Sequence, residues 1–153
     1  MRILLTGATG KVGRKLYPEL RRNYNTVIGL ENTKPVPGNS LTLDQIRSSL
    51  VSLDWVVHLA AQSDVGFCQR NPDSAKHVNV GLTEELSNYG RMLLFSTDMV
   101  FPGKVRDVPE YANPNPKNIY GETKAKAEYC LSEEDRILRI GNVIVEDGFI
   151  DSV

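Results

Sequence analysis

Residues 2–16 read RILLTGATGKVGRKL. Ile3–Leu5 is a short apolar run closed by Gly7, the pattern of a buried strand. Helical spacing follows over Lys11–Arg22, where Val12, Leu16, Tyr17 and Leu20 fall on one side, although Pro18 interrupts the run. Between strand and helix stand Gly7, Gly10 and Gly13. This order places bare backbone and a helix N-terminus at the carboxyl end of a strand. Without side chains in the way, a pyrophosphate can approach peptide N–H groups there. The stretch therefore predicts a dinucleotide site built on Gly7, Gly10 and Gly13, at the edge of an α/β sheet.

The alternation continues along the chain. Thr26–Leu30, Trp55–Leu59, Met92–Phe95 and Ile137–Ile140 read as further strands, with Val143–Val145 extending the last. They are almost continuously apolar, as strands of a parallel sheet covered on both faces should be. Helices are expected from Thr42 to Leu50, from Pro72 to about Leu86 (weakened by Gly81) and from Glu122 to Leu131. Glu31–Asn39 and Asn113–Asn118, both proline-bearing, read as loops, and Ser132–Arg136 as a solvated turn. Five strands are read in all, in one domain of 153 residues without internal repeats.

Composition narrows the function classes. Eighteen basic residues against 19 acidic give a net charge of -1, with no basic stripe, so neither nucleic acid nor an anionic membrane is expected as a partner. No apolar stretch approaches the length of a membrane span, and the N-terminus does not read as a signal peptide. Cys68 and Cys130 lack metal-ligand spacing and read as inert thiols in a reducing, cytoplasmic setting. His58 reads as a satisfied histidine at a strand end and His77 as a surface or core-edge residue. Two histidines without nearby thiols or carboxylates make no metal site.

The segment NIYGETKAKAEY, residues 118–129, carries Tyr120 and Lys124 at i,i+4, on one face of a helix. Reduction of a ketone creates an alkoxide that must gain a proton. A tyrosine, with an ordinary pKa of about 10, becomes a better acid beside a lysine cation. Lys124 would also reach the nicotinamide ribose, and Thr97, after the fourth strand, would orient the substrate oxygen. Asn79 is placed to hydrogen-bond backbone beside this centre. Glu31 follows the second strand, where an acid accepts from the adenosine ribose 2′-hydroxyl of NAD; Arg14 and Lys34 are near enough in sequence to meet the 2′-phosphate of NADP instead. NAD is favoured over NADP by this reading.

TGATGKVG, VVHLAAQSDV, NPDSAKHVNV, LFSTDMVFPG, NPNPKNIYGETKAKAE and ILRIGNV occur in one order over residues 1–145. In these motifs the chain resembles the extended short-chain dehydrogenase/reductase family, and within it the dTDP-4-dehydrorhamnose reductase type. The resemblance implies a Rossmann-like, doubly wound parallel sheet and reduction of the 4-keto group of a nucleotide-linked 6-deoxyhexose. It implies Thr97, Tyr120 and Lys124 as catalytic residues. Gly7, Thr9, Gly10, Lys11, Val12, Gly13, Glu31, Leu59, Ala60, Ala61, Asn79 and Ser96 would join Tyr120 and Lys124 around the cofactor. Asp98 and Phe101 would join Thr97 at the substrate, and the backbone around Ile140–Val143 would lie beside the nicotinamide.

Related nucleotide-sugar dehydratases carry Thr-Asp-Glu where this chain has Thr97-Asp98-Met99. The missing second acid favours a reductase over a dehydratase, and epimerases tend toward small residues after the Ser/Thr. A related branch, similar to the regulatory subunit of methionine adenosyltransferase, keeps such motifs in a non-metabolic role and supplies a further alternative.

Family members are much longer and have more strands than the five read here. The segments at 31–45 and 79–91 are short, and little follows the last strand. Residues 1–145 therefore read as the nucleotide-binding domain and 146–153 as the start of a substrate-binding region. A compact variant, a fragment whose numbering closes over missing loops, and reliance on a homodimer or partner chain each account for this. The fragment accounts for several short spots together.

Overall fold

The computed structural model describes residues 1–31, 34–36, 41–48, 52–103 and 107–141. The apolar runs form β1 (Arg2–Thr6), β2 (Thr26–Glu31), β4 (Trp55–His58), β5 (Arg91–Thr97) and β6 (Arg136–Ile140). A sixth strand, β3 (Lys34–Pro35), completes a sheet of order β3-β2-β1-β4-β5-β6. All neighbouring pairs are parallel except β2–β3. β3 corrects the loop expected there. It pairs Glu31 with Lys34 and Leu30 with Pro35, and its position at the sheet edge tolerates a proline that cannot donate on its outer side. The proposed extension over Val143–Val145 and the boundary at 146 lie outside the described residues.

Alternate strand positions feed opposite faces of the sheet. On one face Leu4, Ile28, Val56, Met92 and Leu94 pack with Leu43 and Ile46 of α2 (Leu43–Ser48) and Ala127 of α6 (Ile119–Glu128). On the other face Ile3, Leu5 and Val57 meet Leu16, Tyr17 and Leu20 of α1 (Gly13–Asn23). Each fully buried aliphatic side chain contributes about 1.5–3 kcal/mol. Two residues beyond Leu4, Val56 and Leu94, the first face turns polar: Thr6, His58 and Ser96 are all buried at the carboxyl ends of their strands. The period of two carries the apolar core directly into a polar layer, and that layer borders the site.

Caps define the helices. Thr42 and Gln45 exchange side-chain-to-backbone bonds at 3.1 and 2.8 Å, a capping box that starts α2. Asp64 accepts from Phe67 N at 2.6 Å and starts α3 (Val65–Arg70), a helix the sequence pattern did not reveal. The helix expected over 72–86 has three parts. α4 (Pro72–Lys76) passes into a π turn at His77–Gly81 and then α5 (Leu82–Leu86). The short connection before β5 is a turn, with Tyr89 N donating to Leu86 O at 3.1 Å and Leu53 N to Tyr89 O at 3.2 Å. α6 begins three residues earlier than expected, so Tyr120 lies inside it. Asn118 caps it by accepting from Gly121 N at 2.7 Å.

Candidate active site

A cleft of about 940 Å³ runs along the carboxyl ends of the strands. Its walls take residues from the glycine loop after β1, the ends of β2, β4 and β5, the π turn, α5, α6, and Ile140 and Gly141 after β6. The chain order reverses between β1 and β4, and the crevice outside such a reversal is where open α/β sheets hold ligands.

The glycine loop forms a cradle that admits no side chain. Gly7 turns through φ +67°, and a Cβ on Gly13 would stand 2.0 Å from Gly7 O. Ala8 N donates to Leu30 O at 3.0 Å and Arg14 N to Gly10 O at 2.9 Å, tying the loop to β2 and to the start of α1. Thr9, Gly10, Lys11 and Val12 face the cleft with them. This close backbone approach at a helix N-terminus fits the pyrophosphate of a dinucleotide. Glu31 and Leu30, at the end of β2, line the same cleft beyond the loop, as do Leu59, Ala60 and Ala61.

At the other end of the cleft stand Thr97, Asp98, Met99, Tyr120 and Lys124. The Tyr120 side chain lies beside Thr97 in this cleft. Thr97 Oγ1 donates to Asp98 Oδ1 at 3.2 Å and accepts from Met99 N at 3.2 Å. Burial raises the Tyr120 phenol above its ordinary value, Cys68 and Asp98 add to the rise, and only the neighbouring Thr97 hydroxyl opposes it. This corrects the expectation that Lys124 lowers it. Lys124 is itself 2% exposed, and burial brings its ammonium down from 10.5 to about 8 against the pull of Glu128. Lys124 stays largely charged at neutral pH, so it is the burial of the phenol itself that decides the direction.

A buried network backs this centre. Asn79, in the π turn, accepts from Gln62 N at 2.7 Å and donates to Gln62 O at 3.0 Å and Thr123 Oγ1 at 2.9 Å. It thus bonds backbone, as the sequence implied, but behind the cleft wall. Ser96 lines the cleft, yet its hydroxyl donates to Glu128 Oε1 at 2.5 Å. Phe101 lies under the Arg139 guanidinium, 5.0 Å from its ring centre, and is not among the cleft residues. His58 shares a 2.7 Å hydrogen bond through Nδ1 with Thr6 Oγ1, while its Nε2 has no partner among the described residues. It is half satisfied, and burial, then the Lys124 charge, lowers it to about 3. His77 is exposed at the cleft rim. Arg14 and Lys34 do not line the cleft. Of the backbone expected around Ile140–Val143, Ile140 and Gly141 line it and the rest lies outside the described residues.

Two features escaped the sequence reading. Arg47 and Glu85 line the same cleft as Glu31 and form an ion pair across 38 residues of sequence, a separation no local pattern reveals. Gly121 follows Tyr120, and a Cβ there would stand 2.2 Å from Met99 O. A glycine in a helical first turn weakens the helix and signals such a constraint. Among the described residues no His, Cys, Asp and Glu cluster suits a metal, and no helix is long and apolar enough to cross a membrane.

A family model described as the RmlD substrate binding domain matches residues 1–148. The chain is 32% identical to methionine adenosyltransferase 2 subunit beta of Bos taurus over 91% of its own length and 46% of that protein. It is 30% identical to dTDP-4-dehydrorhamnose reductase of Escherichia coli K12 over 87% of its length and 47% of that protein. A crystal structure of a hypothetical dTDP-4-dehydrorhamnose reductase from Sulfolobus tokodaii superposes with TM-score 0.82 at 27% identity, covering 94% of this chain and 57% of that one. The chain spans about half the length of the curated relatives it matches.

Proposed function

Since this chain belongs to the family of the RmlD substrate binding domain, we propose that it is the nucleotide-binding and catalytic half of an NAD(P)H-dependent reductase. Its substrate would be the 4-keto group of a nucleotide-linked 6-deoxyhexose, such as a dTDP-6-deoxy-4-ketohexose. The observation that carries this reading is the convergence of Thr97, Tyr120 and Lys124 at one end of the cleft that also holds the glycine cradle.

The residues fit a dinucleotide, because Gly7 and Gly13 let the loop pack against its own backbone and the end of β4 at the N-terminus of α1, beside the cleft where a pyrophosphate would lie. Gly7, Thr9, Gly10, Lys11, Val12 and Gly13 would hold its phosphates, Glu31 its adenosine ribose, and Leu59, Ala60 and Ala61 its length. When bound in reduced form, the nicotinamide supplies hydride to a carbonyl carbon. The raised pKa of Tyr120 keeps its hydroxyl protonated at neutral pH, so it holds the proton the carbonyl oxygen must receive. Thr97 fixes the tyrosine hydroxyl and, by turning its own proton from Asp98, orients the substrate oxygen. Lys124, one turn along α6, holds the ribose and keeps positive charge near the forming phenolate. Ser96 and Asn79 act from behind by fixing Glu128 and the loop at Gln62. Asp98 faces the substrate side of the cleft, and Phe101 supports that side through Arg139.

Tyr120→Phe should retain dinucleotide binding and lose nearly all turnover, read as cofactor oxidation with a dTDP-6-deoxy-4-ketohexose. Tight nicotinamide binding by the full-length protein without turnover of that sugar would count against the reading. Met99, in place of a second acid, argues against dehydration.

A second reading is a nucleotide-binding regulatory subunit without turnover, favoured by the similarity to methionine adenosyltransferase 2 subunit beta. A stable complex with a larger enzyme, together with absent reductase activity, would support it. Both readings fit a cytoplasmic setting, in which Cys68 and Cys130 stay free thiols.

A further inference from the structure

The adenosine end of the cleft carries an arginine whose working edge is already taken. Arg47 donates to Glu85 through Nε to Oε1 at 2.6 Å and Nη2 to Oε2 at 2.8 Å. Its Nη1 donates to Asp44 at 2.8 Å. Arg47, Glu85 and Glu31 all line the cleft, as do Leu30 and Leu43. The Nε–Nη2 edge is the flat, two-donor side of a guanidinium that matches a phosphate as well as a carboxylate.

An adenosine ribose at the end of the second strand is recognised in one of two ways. An acid accepts from its 2′-hydroxyl, or an arginine binds its 2′-phosphate. This site holds both residue types, but the arginine is bound twice over by acids of its own chain. Asp44 and Glu85 take up the charge of Arg47, so its guanidinium has little left to offer a 2′-phosphate; Lys34, the β3 partner of Glu31, does not line the cleft. Lys11 does line it, but it belongs to the pyrophosphate loop.

We propose that Glu85 selects NAD over NADP by occupying the edge of Arg47 that a 2′-phosphate would need, leaving Glu31 to accept from the free 2′-hydroxyl. The proposal rests on the dinucleotide reading above and deepens its cofactor side. The Arg47–Glu85 pair also joins α2 to α5 across the adenosine end, so it shapes that end of the cleft as well as its charge.

The test is equilibrium binding of NAD and NADP to the purified chain by calorimetry, at low and physiological salt. The wild-type chain should bind NAD more tightly. Glu85→Ala releases the guanidinium edge and should tighten NADP about tenfold relative to NAD, as expected for one new charge-assisted contact. Adding Arg47→Gln to Glu85→Ala should abolish that gain, and higher salt should shrink it. An unchanged NADP-to-NAD ratio in Glu85→Ala overturns the proposal, as does a gain that survives loss of Arg47 or a wild-type preference for NADP. A wild-type chain that binds neither nucleotide overturns the dinucleotide reading itself, and the proposal with it.

Discussion

Arg139 holds Glu128 through three hydrogen bonds: Nε to Oε1 at 3.0 Å and to Oε2 at 3.2 Å, and Nη2 to Oε2 at 2.7 Å. The carboxylate is almost fully buried and lies one helical turn beyond Lys124, which it draws toward the charged form. Ser96 takes its remaining contact. Arg139 Nη1 also donates to Glu110 O at 2.9 Å. One guanidinium thus ties β6 to α6 and to the segment leading into Tyr120, while balancing the negative charge that Lys124 would otherwise feel in full.

This arrangement predicts opposite shifts from its two partners. Glu128→Gln removes the charge that raises Lys124, so the lysine should titrate below about 8. Arg139→Gln leaves the carboxylate unbalanced, so the lysine should titrate higher. An NMR titration of Lys124 side-chain carbons reads both. Shifts of the same sign would sink the idea. Arg139→Gln should also destabilise the fold by about 3–5 kcal/mol, the usual cost of breaking a buried pair by removing one partner.

Lys124 sets a pH dependence of its own. Its folded value of about 8 lies below the ordinary 10.5. Between those values the unfolded chain binds more protons, so this group makes stability rise with pH across that window. Below about 8 the full cost of burying the charge, about 3 kcal/mol, weighs on the fold. Lys124→Met should therefore be more stable than the wild type at pH 7, with the gap closing toward pH 10.5, and should lose turnover. Denaturant melts at both pH values check this. Cys68, Cys130 and Tyr120, all shifted upward, titrate in the same range in both proteins and cancel in the difference. A variant less stable at pH 7 would contradict the argument.

His58 should govern part of the acid limb. The folded chain keeps it neutral down to about 3, whereas the unfolded chain protonates it near 6.5. Stability present above pH 6.5 is then lost as pH falls through that window, by about 2 kcal/mol at pH 5. His58→Gln keeps an acceptor for Thr6 and removes the titration. Its stability should fall less than that of the wild type between pH 7 and 5. Equal losses in the two proteins would assign the acid limb elsewhere.

What the sequence disclosed, and what it did not, follows from the range of each interaction. β1, β2, β4, β5 and β6 are apolar runs whose burial is written in residue type. The glycine cradle is legible because only absent side chains satisfy it. β3 was not legible, since two residues with a proline carry no period and take their form from Leu30 and Glu31. The π turn changes hydrogen bonding without changing residue type, so nothing in HVNVG announces it. Ser96 shows the limit for sites: its spacing places it at the cleft, but its partner Glu128 lies 32 residues away, and that contact redirects the hydroxyl. The phenol of Tyr120 shows it for electrostatics, because the i,i+4 lysine was legible and the burial that raises the phenol was not.

Gly121 joins the two halves of the catalytic arrangement, and Gly121→Ala tests how tightly. Alanine ordinarily favours a helix by about 1 kcal/mol over glycine. Here the new Cβ would stand 2.2 Å from Met99 O, in the 3₁₀ turn Asp98–Val100 that follows Thr97. Backbone does not yield as a flexible side-chain end does, so the start of α6 must move away from that turn, at a cost of about 1–3 kcal/mol. The same displacement draws Tyr120 from Thr97, the one neighbour whose influence lowers the phenol. The variant should melt lower, its Tyr120 should ionise at still higher pH, and turnover should fall further than dinucleotide affinity, because the glycine cradle lies at the opposite end of the cleft. Thermal melts, a phenol titration and nucleotide binding measure the three effects. A variant as stable as the wild type, with Tyr120 unshifted, would show that α6 does not depend on this close approach.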